Sequence, residues 1–301
     1  MKRSVIFCVI FFLLLTGCGT TPTATSQPLQ PTAVPALPTT APSATLQPSA
    51  TSIPPTETPL PPTSTPTAIP PTDTPPPPTV DVEALIKSAN IIVFEDMVYS
   101  RFIKEALDDG GYVYTDVADR LGTFQKQLLS GTKWDLIIAA AEGRGGVAGE
   151  FFDYLKDQLE NGASVILEMW TLDYDAGGRI QPILDKCGIE LQANWVNPSN
   201  RGVYWVDNNL TIASEPNEVS PSTFVTFWDG DVGDLVKLSS GSSAQIFASA
   251  NKPNPSQDGL ITLCYDGRLL LQTFSTHDHS EGTMVDLWQN YVYYMLSNRY
   301  K

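Results

Sequence analysis

The sequence predicts an α/β domain built on a doubly wound, mainly parallel sheet, and three observations carry the prediction. Leu136–Ala141 and Val165–Leu167 are apolar without alternation, as strands covered on both faces of a parallel sheet are. Between them Phe151, Phe152, Leu155 and Leu159 recur at helical spacing, so strand, glycine turn, helix, Gly162 and strand form one βαβ unit. Helical and strand-like stretches then alternate along much of residues 81–301.

Residues 1–80 contribute nothing to a core. Lys2 and Arg3 precede an apolar run, Val5–Leu15, with the length of a signal-peptide core and too short to span a bilayer. It ends in Leu15-Thr16-Gly17-Cys18, which resembles the bacterial lipoprotein lipobox. That resemblance implies a signal peptide over 1–17 and a lipid anchor on Cys18; an ordinary cleaved signal or an N-terminal anchor helix are the alternatives. Residues 19–80 hold nineteen prolines and only two charges, Glu57 and Asp73. Such a tract buries too little apolar surface to offset chain entropy, so 18–80 reads as a disordered, semi-stiff spacer. Its Thr-Pro character also suits O-glycosylation.

Residues 81–301 are enough for one domain with a substantial core. Their 31 acidic and 16 basic residues argue against a nucleic-acid partner, which demands clustered cations. The expected partners are a membrane, through Cys18, and a small molecule or glycan. Cys187 and Cys264 sit at no motif spacing and read as buried thiols, with pairing in an oxidising exterior as the alternative.

In chain order, Val82–Ala89 reads as a lead-in helix and Asn90–Phe94 as the first buried strand. Phe102, Ile103, Ala106 and Leu107 share a helix face that Gly110-Gly111 ends. Tyr112–Thr115 is a strand and Leu121–Leu129 a helix. After the central βαβ unit, Ile180, Ile183 and Leu184 mark a helix stopped by Gly188, and Ile189–Ala193 a further strand. Beyond Trp195 the chain becomes turn-rich, with strand-like pieces at Val203–Val206 and Phe224–Phe227 and with Trp205 and Trp228. Gln245–Ala250, Leu260–Cys264 and Arg268–Phe274 resume as strands, the last two joined by an Asp266-Gly267 hairpin. Met284, Leu287, Tyr291, Tyr294 and Met295 are spaced for a closing helix.

Three places are similar to the class I glutamine amidotransferase-like fold, and within it to ThuA-like domains. They are Trp134-Asp-Leu-Ile-Ile with the Gly143–Gly146 turn, Gly162-Ala-Ser-Val-Ile-Leu, and Asp266-Gly-Arg-Leu-Leu-Leu-Gln-Thr-Phe-Ser-Thr-His277. The resemblance implies a nucleophilic cysteine between glycines after Val165–Leu167. Here that place holds Glu168-Met169-Trp170, and the family's His-x-Glu is His277-Asp278-His279. The departures imply that acyl transfer from glutamine is absent.

Glu95, Asp96, Glu142, Glu168 and His277 all fall at or just beyond strand carboxyl ends, which face one crevice in a doubly wound sheet. Glu142 and Glu168, with His277, are the catalytic candidates. Two nearby carboxylates push each other's pKa apart into an acid and a base, as glycoside hydrolysis needs. The alternative is that carboxylates follow strands as polar loop residues or helix caps. Glu95, Asp96, Arg144, Trp170 and Asp278 are the ligand-binding candidates. His277 and His279 are the metal candidates, weighed against a polar loop with locally bonded histidines. The sequence names no cofactor. The expectation is a small-molecule or carbohydrate-binding domain, the alternatives being a glycan hydrolase and a structural or protein-interaction domain.

Overall fold

In the computed structural model the described residues are 81–301, apart from 144–146, 221, 223, 225, 228 and 229. Cys18, the spacer, Arg144 and Trp228 therefore lie outside the described residues.

The chain alternates as expected through its first half. The elements are α1 (Val82–Lys87), β1 (Ile91–Glu95), α2 (Phe102–Asp109), β2 (Tyr114–Asp116), α3 (Leu121–Leu128), β3 (Leu136–Ala141), α4 (Phe151–Glu160), β4 (Ser164–Met169), α5 (Leu172–Asp175) and α6 (Gln181–Cys187). They continue with β5 (Ile189–Val196), β6 (Val203–Trp205), β7 (Asp231–Leu238), β8 (Gln245–Ala250), β9 (Gly259–Cys264), β10 (Leu269–Gln272) and α7 (Glu281–Tyr300).

Strands β2-β1-β3-β4-β10 lie side by side and parallel. Alternate residues of β1 feed two cores, as strand geometry requires. Ile91 and Val93 join α2 and α7 on one face, and Ile92 and Phe94 join α3 and α4 on the other. The sheet is thus doubly wound. From β10 onward pairing is antiparallel, through β9 to β8 and β7, with β5 on β7 and β6 on β8.

Ile189–Ala193 is indeed strand, but it pairs antiparallel with β7, outside the parallel group. That partner strand was not legible. Asp231, Gly233 and Asp234 are residues that strands disfavour. Of Phe224–Phe227, Thr226 makes only an isolated bridge to His279. Gly188 ends α6 with φ +70°, as a left-handed helix stop. Cys187 and Cys264 are joined in a disulfide that ties α6 to β9, so the buried-thiol expectation is corrected.

Candidate functional site

The carboxyl ends of β1, β3, β4 and β10 gather the expected residues, and then close over them. Ala140 pairs with Glu168 across β3 and β4, so two adjacent strands deliver Glu142 and Glu168 to the same edge. Gln272 of β10 lies beside Glu168 on its other flank. After β10 the segment Phe274–His279 folds back across both carboxyls.

Glu142 is buried and accepts on both oxygens. Its Oε1 lies 2.6 Å from His277 Nδ1, while Ser275 Oγ and the His277 N–H donate to Oε2. His277 Nε2 lies 2.5 Å from the Ser100 carbonyl oxygen. A carbonyl only accepts, so Nε2 donates to Ser100, and Nδ1 faces the Glu142 carboxyl, an arrangement that favours the imidazolium. Burial pulls the His277 pKa down, but the Glu142 hydrogen bond and charge, with the Ser100 carbonyl and the charge of Glu95, together leave it raised. Phe102 stacks on the ring at 4.4 Å between centroids.

Glu168 is fully buried. Its Oε1 accepts from the Thr276 N–H at 2.7 Å and from Gln272 Nε2 at 2.9 Å. Burial, and then the charge of Glu142, push its pKa well above the usual carboxylate range, so it is held as a neutral acid. The network continues inward. Gln272 Nε2 and Trp288 Nε1 both donate to Thr276 Oγ1, and Tyr291 Oη donates to Gln272 Oε1. Sequence reasoning missed these partners. A glutamine ending the run Leu-Leu-Leu-Gln was the one available signal, since a polar residue in a buried strand needs a partner.

The ligand-binding candidates divide. Glu95 is buried, accepts from the Ile103 N–H and pairs with Arg101 Nε at 3.0 Å, so it starts α2 and fixes Arg101. Burial raises its pKa to about 7. Asp96 accepts the N–H groups of Glu142 at 3.1 Å and Gly143 at 2.6 Å. These two bonds fix the start of the glycine-rich turn at Gly143. Trp170 is half-buried, and its Nε1 donates to the Asp231 carbonyl at 3.2 Å. Asp278 is half-buried beside Glu142, and burial raises its pKa to about 7.

The two histidines do not share a site, which corrects the metal expectation. His277 bonds Glu142 and Ser100. The His279 ring is buried, edge-on to Phe224 and Phe274, with neither nitrogen bonded among the described residues. Burial lowers its pKa to about 4, so it is neutral. Among the described residues no three His, Cys, Asp or Glu converge as metal ligands.

Glu168 as acid and Glu142 as acceptor have the chemical character of an acid–base pair. A catalytic carboxyl, however, must reach the proton it moves. Here one is sealed, and the oxygens of the other are engaged by Ser275 and His277.

No family model and no curated protein matches this chain. Its structural neighbours have glutamine amidotransferase-like folds. A protein from Thermoplasma acidophilum, provisionally named as part of a GMP synthase, superposes with TM-score 0.43 and 10% identity, over 70% of this chain and 94% of that one. A glutamine amidotransferase from Thermotoga maritima superposes with TM-score 0.39 and 11% identity, over 62% of this chain and 76% of that one.

Proposed function

We propose that this chain is an extracytoplasmic lipoprotein, anchored through Cys18 and displaying on its Pro/Thr-rich spacer a non-catalytic binding domain. One observation carries the non-catalytic part: Glu142 and Glu168 are buried beneath Ser275–His277, and both carboxyls and the half-buried His277 ring are engaged by protein groups. The disulfide supports export, because such bonds persist in oxidising compartments, and it consumes both cysteines of residues 81–301. Glutamine hydrolysis then has no thiol nucleophile in the domain. The lipobox-like Leu15–Cys18 and the spacer composition support the anchoring.

Two assays on the full chain test the reading. Metabolic labelling with a radiolabelled fatty acid is expected in the wild type and lost in Cys18→Ala. Glutaminase and glycosidase assays are expected to show no turnover; turnover abolished by Glu168→Gln overturns the non-catalytic reading.

A further inference from the structure

The opposite edge of the sheet is built differently. Two cavities, about 500 and 410 Å³, lie at the amino ends of β3, β4 and β10 and meet at Arg299. Both volumes fall in the ~300–1,000 Å³ range of small-molecule sites. At about 3.3 Å per residue, the strands place this groove roughly 15–20 Å from the buried carboxyls.

The groove holds three cations of a domain with net charge −15: Lys133, Arg268 and Arg299. The two arginines are fixed in place. Arg268 Nη1 donates to the Leu159 carbonyl and Arg299 Nη1 to the Gly162 carbonyl, both at the end of α4. Arg299 Nε also pairs with Asp135 Oδ1 at 2.9 Å. A guanidinium carries five N–H groups, more than these bonds use, and the tethers hold each one without the entropy of a free side chain. Lys133, Asn161 and Asn298 are exposed, and their side chains bond to nothing among the described residues. Gln158 donates to the Leu128 carbonyl, leaving its Oε1 as an acceptor.

Planar amides that donate and accept suit vicinal hydroxyls, and immobilised guanidiniums suit a carboxylate. We propose that this groove is a binding site for an acidic saccharide, a sugar carrying a carboxylate. The site rests on the reading of the domain as a binding module, and names where and what it binds.

The test is calorimetric titration of the full chain in detergent with trigalacturonate, free of divalent cations, beside the neutral trisaccharide maltotriose. Saturable binding of trigalacturonate alone is expected. Lys133→Ala and Asn298→Ala should each weaken it about tenfold. Both altered groove residues are exposed and unbonded, so the variants fold; the arginines, which hold the end of α4, are left intact. No saturable binding, equal binding of maltotriose, or binding indifferent to both groove variants overturns the proposal. Those outcomes leave the non-catalytic reading standing, because only turnover overturns that.

Discussion

At the residue scale, the decisive contact is Glu142 with His277. The imidazolium is half-buried and its charge is answered chiefly by Glu142 Oε1 at 2.6 Å. Removing one partner of a buried pair leaves the other charge uncompensated, which costs about 3 kcal/mol. Glu142→Ala should therefore lower Tm by roughly 6–12 °C for a domain of this size, read by calorimetry at pH 6. The sign with pH follows from the raised His277 pKa. The pair's contribution is fully present below about pH 6.5, the unfolded value, and is lost as pH rises through the folded value. The Glu142→Ala deficit should thus shrink on the alkaline side; a deficit constant with pH would mean that His277 is uncharged. The residues Glu142, Glu168 and His277 were legible as a group because each follows a strand. Their occupancy was not, because Ser275 lies 133 positions from Glu142 and Thr276 108 from Glu168. No local pattern encodes such a pairing.

At the element scale, continuous apolar runs made β1, β3 and β4 readable, and helical spacing did the same for α2, α4 and α7. β7 escaped because its identity depends on a close approach rather than on periodicity. Gly233 sits at φ +140°, and a Cβ there would lie 2.1 Å from the Thr273 carbonyl oxygen. The same contact brings Asp234 N–H to Thr273 O at 2.7 Å and lets Asp234 Oδ2 accept from Asp173 N–H. Gly233→Ala should cost about 3–5 kcal/mol, combining backbone strain with overpacking. Denaturant melts would show it, whereas Gly241→Ala, in open space, should cost far less despite its φ of +76°. Equal losses in the two variants would mean that β7 does not press on the segment after β10.

At the scale of the whole molecule, the domain concentrates carboxyls that burial has pushed up. Glu95, Asp234 and Asp278 each stand at about 7, and Glu168 is well above its usual value. A raised carboxyl binds more protons folded than unfolded, so stability falls as pH rises from about 4 towards 7 and beyond. His279, lowered to about 4, works the other way between 6.5 and 4, but one imidazole opposes four carboxyls. Self-repulsion of a −15 domain also weakens on the acid side. Tm is therefore expected to be higher at pH 5 than at pH 8, by scanning calorimetry. The net charge was plain in the composition; that Glu95, Asp234 and Asp278 would be pushed to about 7 was not, because burial decides it.

The most direct measurement is a ¹³C NMR titration of side-chain carboxyls in glutamate-labelled full chain, with Glu168 assigned by its loss in Glu168→Gln. A closed edge predicts that the Glu168 carbon reports a carboxyl still protonated well above pH 4.5. Titration of Glu168 near 4.5 would contradict the account, since it would show that water, and hence substrate, reaches the carboxyl.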